Sequence, residues 1–308
     1  MTAGHGDGHS HGSAAGADSR YLAVALALIV GFMVAEVSVA IVSGSLALLS
    51  DAGHMLTDAA AIAGSLVAIR LAARPSSSRW TFGFKRAEIL SAAVNGVSLL
   101  MISAIVAVEA VRRLIAPPPV SGGPVLVVAL LGMAVNLVAV WVLAKANRTS
   151  LNVEGSFQHI LTDLYGFIAT VIAGIVILLT GFTRADAIAS LIVVGLMLHA
   201  AWGLLQDSGR ILLEGTPEHI DLAAIRGHLL EAAHVLDVHD LHVWTVTSDL
   251  LAISAHVTLS DECFRDGHAP QVLDELQTCL VGHFDVEHST FQHEPAAHAA
   301  HESGTGHQ

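Results

Sequence analysis

His54-Met55-Leu56-Thr57-Asp58 and His159-Ile160-Leu161-Thr162-Asp163 share one pattern, H-x-L-T-D, and each copy lies inside a long apolar run. Residues four apart share a helix face, so each copy presents an imidazole and a carboxylate in the same direction. Together they offer two nitrogens and two oxygens from two helices, a donor set that a tetrahedral, borderline cation such as zinc accepts. An aspartate placed in hydrocarbon costs on the order of 3 kcal/mol or more, and such a residue is usually retained for function. A hydrogen-bonding contact between helices would account for one His/Asp pair. It does not account for the same metal-binding residue types occurring twice.

The surroundings of the motifs are those of a membrane protein. Of 308 residues 53% are hydrophobic and 13% charged, with a mean hydropathy of +0.64, which excludes an ordinary soluble domain. Six apolar runs, at 21–43, 46–70, 87–115, 124–145, 153–181 and 185–206, each reach the roughly 20 residues a helix needs to cross a bilayer. An even number of spans puts both ends of the bundle on one side. Arg20, Arg70, Arg74, Arg79, Lys85, Arg86, Lys145, Arg148 and Arg210 fall on that side, against Arg112, Arg113 and Arg184 on the other, so both termini are expected in the cytoplasm. The first run is too long for a signal sequence and is expected to be retained. Ser43-Gly44-Ser45, the Pro117-to-Pro124 segment and Thr180-Gly181-Phe182-Thr183 supply the turns between spans. At about 1.5 Å per residue, His54 and His159 both come within several ångströms of the midplane.

The ends of the chain are of another kind. Residues 1–19 are rich in Gly, Ala, Ser and His, including His5, His9 and His11, and read as a disordered cytosolic tail. Loose metal capture and incidental histidines are both open readings of it. Residues 20–208 form the membrane domain, 209–295 a cytosolic α/β domain and 296–308 a second His-containing disordered tail. The α/β domain shows helical spacing over 218–233, alternation over 238–245 and 251–259, a helix over 269–281 and a last strand near 284–292. That order, αββαβ, is a two-layer domain. From Glu214 onward sixteen acidic residues face only Arg226 and Arg265, an excess as large as that of the whole chain. Such a field draws cations and argues against nucleic acid as a partner. Cys263 and Cys279 have no C-x-x-C spacing, so neither a disulfide framework nor a thiolate zinc finger is indicated.

With these residues in view the chain resembles the cation diffusion facilitator family, in its zinc branch. The resemblance is carried by Gly44 to Asp58, Phe82-Gly83-Phe84 with Arg86-Ala87-Glu88, Ser150-Leu151-Asn152-Val153, Asp186 to Ser190, Leu212-Leu213-Glu214-Gly215 and Val238 to Trp244, in order from about residue 20 to 294. It implies a six-transmembrane-helix bundle joined to a cytosolic, metallochaperone-like (ferredoxin-like) α/β domain, in a homodimer. It places the transport site on His54, Asp58, His159 and Asp163. It places regulatory ligands near His239, His256 and His288, with His268 a further candidate, and a charge pair supporting the dimer on Arg86 and Asp207. Any one of the cytosolic histidines is equally readable as a structural residue. The segment Ser76 to Lys85 lacks Asp and His, so no metal is expected there, and the short, His-free Lys145-to-Ser150 connection favours a bacterial source.

The expected function is export of Zn²⁺, with Cd²⁺ and Co²⁺ as further candidates, across a bacterial inner membrane in exchange for protons. Zinc is then substrate and candidate regulatory ligand, with no prosthetic group, and the partners are divalent cations, protons, membrane lipid and a second copy of the chain. A passive channel or a membrane metal sensor would use similar ligands. An intramembrane zinc enzyme would need an open coordination position and a general base, and neither motif contains the Glu of H-E-x-x-H. We therefore expect no enzyme activity.

Overall fold

The computed structural model describes residues 11–43, 46–116, 122–146, 148, 150–248, 250–284, 286 and 288–299. The chain divides into two compact units between Ser208 and Gly209.

The first unit is all helical. Six long helices, α1 (His11–Ser43), α2 (Leu46–Ala72), α3 (Ala87–Ile115), α4 (Gly122–Leu143), α5 (Leu151–Thr180) and α6 (Ala185–Leu212), follow the six apolar runs. Among the described residues, four of them, α1, α3, α5 and α6, are long and apolar enough to cross a membrane, and Ala129–Leu143 of α4 adds a shorter apolar helix. One difference lies at the start. Residues 11–19, expected to be disordered, continue α1 as helix, because Ala14, Ala15 and Ala17 are strong helix formers and extending an existing helix avoids a new nucleation. His11 therefore belongs to α1, whereas His5 and His9 lie outside the described residues. At the other end of the bundle Gly181, at φ 71°, closes α5 in the left-handed conformation and donates its N–H to the Ile177 carbonyl.

Among the described residues two separate apolar cores form inside this bundle. Ile29 of α1, Met55 and Ile62 of α2, Leu143 of α4, and Val153 and Ile160 of α5 belong to the larger one. Leu99 of α3 with Met197 and Ala201 of α6 make the smaller. Glycines let neighbouring helices approach: a Cβ on Gly96 of α3 would stand 2.9 Å from Leu205, and one on Gly155 of α5 would stand 3.0 Å from Leu204, both leucines being on α6.

The second unit contains α7 (Leu222–Leu230), β1 (Val235–Thr247), β2 (Leu250–Leu259), α8 (Asp261–Arg265), α9 (Ala269–Phe284), β3 (His288–Pro295) and α10 (Ala296–Ala299). The αββαβ order is present, with two short helices that the sequence pattern does not announce. The first helix is shorter than the periodicity suggests because Asp221 caps it, accepting from the N–H groups of Ala223 at 2.9 Å and Ala224 at 3.3 Å. The last strand lies later than expected, at 288–295, because α9 runs on to Phe284. Residues 296–299, assigned by sequence to a disordered tail, form α10, while 300–308 lie outside the described residues.

The sheet order is β1-β2-β3. A hairpin makes β1 and β2 antiparallel, and the α9 crossover makes β2 and β3 parallel. Ile225 and Leu229 of α7 and Leu276 and Leu280 of α9 pack with Val243, Ile253 and Val257 of the sheet in a fully apolar core. A bulge interrupts β1 between His239 and His242, with Asp240 at φ 48°.

Candidate metal centres

The α2–α5 contact brings both H-x-L-T-D motifs together. His159 Nε2 lies 2.7 Å from Asp58 Oδ1 and 4.0 Å from Asp163 Oδ2. His159 and Asp58 are 2% and 4% exposed, so their charges are nearly withdrawn from solvent. Ligand atoms of Asp58, His159 and Asp163 all lie within 4.8 Å of one another. A tetrahedral zinc site with bonds of about 2.0–2.2 Å has ligand–ligand edges of about 3.4 Å. Opening the 2.7 Å pair and closing the 4.0 Å pair, each by less than about 1 Å, would bring the two His159 edges to that length. His54 sits one helical turn before Asp58 on α2 and shares its face; its side chain lies outside the described residues.

A cavity of about 280 Å³ opens beside these ligands, lined in part by Met55, Asp58, Asn136, Thr162, Asp163 and Phe167. Its other wall includes Ile102 of α3 and Val193 and Met197 of α6, which bring no charged group. Asn136, buried on α4, donates to the Gly132 carbonyl at 3.2 Å. A Cβ on Gly132 would run into the Phe167 ring, so the glycine is what lets that ring stand against α4.

The register of α2 against α5 is fixed by a second polar contact. Asn152 Nδ2 donates to the Ser65 carbonyl at 3.0 Å and Ser156 Oγ donates to Ser65 Oγ at 2.9 Å. Asp58 precedes Ser65 while its partner His159 follows Asn152, so the two helices run antiparallel, with the polar contacts about 10 Å apart along the axis. Beyond them, Ser150 at the α5 N-cap donates to the Glu88 carboxylate of α3. Arg148 clasps Glu154 through two hydrogen bonds of 2.7 and 3.0 Å and covers the Phe157 ring at 3.9 Å. The hydrogen bond to Glu154 raises the Arg148 pKa.

In the second unit, two of the expected cytosolic ligands meet. His239 and His256 are cross-strand partners on β1 and β2, and their rings lie 5.4 Å apart. The third member of the group is Glu294, 2% exposed, with Oε1 at 2.9 Å from His239 Nε2 and 3.8 Å from His256 Nδ1. Sequence reasoning missed it because the parallel register that sets Gln292 opposite His256 carries no local signal. The bulge matters here too. It aims Asp240 at His242, 3.0 Å away, and at His256, 3.9 Å away. His298 of α10 stands 3.6 Å from Glu294, although its segment reads as a tail.

His288 and His268 do not join this group. His288 opens β3, six residues before Glu294 and so about 20 Å along the strand. His268 stacks on His234 at a centroid separation of 5.8 Å. Burial lowers the pKa of His293, the neighbour of Glu294. Arg86 occupies the N-cap of α3 and Asp207 the last third of α6.

A model of the cation efflux transmembrane domain matches residues 22–213, and one of the cation efflux protein cytoplasmic domain matches residues 217–296. This chain belongs to the cation efflux family. It is accordingly a multi-pass membrane transporter of metal cations. Among its relatives, a cadmium, cobalt and zinc/H(+)-K(+) antiporter of Bacillus velezensis is 37% identical over 94% of this chain and 93% of its own length. The metal cation efflux system protein CzcD of Cupriavidus metallidurans is 38% identical over 94% of this chain and 91% of its own. The zinc transporter ZitB of Escherichia coli is 39% identical over 90% and 88%. A solved structure, the metal-bound C-terminal domain of the CzcD transporter of Cupriavidus metallidurans, matches at 32% identity over 24% of this chain and 99% of that one, with a TM-score of 0.22.

Proposed function

We propose that this member of the cation efflux family exports Zn²⁺ from the cytoplasm in exchange for protons, with Cd²⁺ and Co²⁺ as further substrates, through His54, Asp58, His159 and Asp163. The observation that carries the reading is the 2.7 Å contact between His159 Nε2 and Asp58 Oδ1. One proton lies between those atoms whichever of them holds it, and Nε2 can bind a metal only after that proton has gone. Metal and proton thus compete at one nitrogen. Charge favours the exchange, because Zn²⁺ with two carboxylates sums to zero, as do two imidazolium groups with the same carboxylates.

The names of the antiporter from Bacillus velezensis and of the zinc transporter from Escherichia coli support this assignment of substrate and counter-ion. The six apolar runs support six crossings, and the distribution of basic residues supports both termini in the cytoplasm. His239, His256 and Glu294 form the regulatory centre of a cytosolic domain through which two copies associate, with Arg86 and Asp207 as a charge pair holding the register of the dimer. Everted membrane vesicles test the coupling. Zinc uptake should rise when the lumen is made acidic and vanish in Asp58→Asn; uptake indifferent to the gradient would reject proton exchange in favour of a passive path.

A further inference from the structure

Three residues of the second unit form a cluster that takes no part in the centres described above. His228 lies in the last turn of α7, and Cys279 and His283 lie one turn apart on α9, where i and i+4 share a face. One ligand atom from each falls within 4.8 Å of the others. The rings of His228 and His283 are 5.0 Å apart, and Phe284 meets the His228 ring edge-on at 5.3 Å, an apolar flank for the group. Beneath it the buried Ile225, Leu229, Leu276 and Leu280 hold α7 and α9 together.

The histidine is already oriented for coordination. His283 Nδ1 lies 3.1 Å from the Cys279 carbonyl oxygen. A carbonyl can only accept, so Nδ1 carries the hydrogen and the neutral ring keeps its lone pair on Nε2. A ring nitrogen fixed on a backbone carbonyl while the other is left free is the usual arrangement behind a metal-binding histidine.

We propose that His228, Cys279 and His283 form a further metal site for a thiophilic divalent cation, Zn²⁺ or Cd²⁺, with water as the fourth ligand. A thiolate and two neutral imidazoles leave the bound cation one positive charge. Zinc bonds of about 2.3 Å to sulfur and 2.0–2.1 Å to nitrogen require the three ligand atoms to close by about 1 Å. His228 and Cys279 are only half-buried, so rotamer changes of those two suffice while His283 keeps its carbonyl contact. Sulfur sets this site apart from the transport ligands and from the His239 group, which offer only nitrogen and oxygen. It favours softer cations and disfavours Mn²⁺. The site does not depend on whether the chain exports metal.

The test uses the purified full-length chain and Co²⁺ as the probe, since only a thiolate ligand gives a sulfur-to-cobalt charge-transfer band in the near ultraviolet. The band should appear in the parent, be displaced by Zn²⁺ or Cd²⁺, disappear in Cys279→Ser, persist in a variant carrying Asp58→Asn and His239→Ala, and require about tenfold or more Co²⁺ in His228→Gln or His283→Gln. In the unsubstituted chain, Cd²⁺ should also slow alkylation of Cys279 by about tenfold or more. A parent without the band at saturating Co²⁺, a band unchanged in Cys279→Ser, or alkylation indifferent to Cd²⁺ would each overturn the proposal.

Discussion

The contact of Asn152 and Ser156 with Ser65 should set the affinity of the transport site without setting its selectivity. Asn152→Ala removes the 3.0 Å bond to the Ser65 carbonyl, and Ser156→Ala the 2.9 Å bond to its hydroxyl. Ser65's carbonyl keeps its place in the helix ladder and Asn152 Oδ1 has no hydrogen-bond partner among the described residues, so Asn152→Ala creates no buried orphan, whereas Ser156→Ala leaves the buried Ser65 hydroxyl without its partner and should have the larger effect. Interhelical hydrogen bonds in membranes contribute about 0.6 kcal/mol on average and up to about 1.7. A transporter whose alternative arrangements lie within a few kcal/mol of each other converts such a loss almost fully into population. Asn152→Ala should therefore weaken zinc binding by about threefold and Ser156→Ala by more, with about twentyfold as the upper bound, and the double variant should weaken it by at least about tenfold if the terms add. Calorimetric titration with zinc and cadmium, in a background carrying His239→Ala, His256→Ala and Cys279→Ser, reads the bundle alone. A double variant that binds zinc like the parent would falsify the idea that this contact positions the ligands, and a changed zinc-to-cadmium ratio would show that it acts on the ligands themselves.

Replacing His54 with Asp keeps a ligand at the same helix position but hardens the site, so transport should persist with less discrimination against cadmium or manganese; competition assays decide this, with Asp58→Ala and Asp163→Ala inactive and the exposed His199→Ala unaffected. Gly132→Ala drives a methyl group into the Phe167 ring and should lower thermal stability by about 1–3 kcal/mol, recovered in part by Phe167→Leu. Truncation after residue 299 should leave metal binding by the His239 group unchanged, whereas truncation after 295 removes His298 and should weaken it measurably in a zinc titration of the Asp58→Asn protein. Burial, and then Asp266, raise the pKa of the Cys263 thiol, so at pH 8 less of it is thiolate than of a free cysteine; its alkylation should lag until denaturant unfolds the second unit, and prompt labelling of the folded chain would contradict its place in the core.

The six helices and the duplicated motif are legible because each is a local pattern: apolar runs of bilayer length, and ligands spaced by one helical turn. Residues 11–19 mislead because composition reports polarity while the helix continues on alanine propensity. In the second unit, alternation reveals the strands, but not the parallel register of β3 or the bulge at Asp240, and those two features decide which side chains meet. Hence the sequence pattern points to His239 and His256 but not to Glu294, and it does not reveal that His288 and His268 lie outside their cluster. The His228, Cys279 and His283 cluster was equally hidden, since its members come from two helices separated by the hairpin.

The two apolar cores among the described residues of the bundle give the proposed ligands a common mount. Asp58, His159 and Asp163 all stand on α2 and α5, inside the larger core, while α3 and α6 present the cavity with an uncharged wall from the smaller one. A sliding of one core past the other would carry the coordinating atoms as a single body. The cation would then keep its ligands while the wall beside it is wetted or dried, and the barrier to crossing would be that of hydrating apolar surface rather than of stripping a charge of its partners.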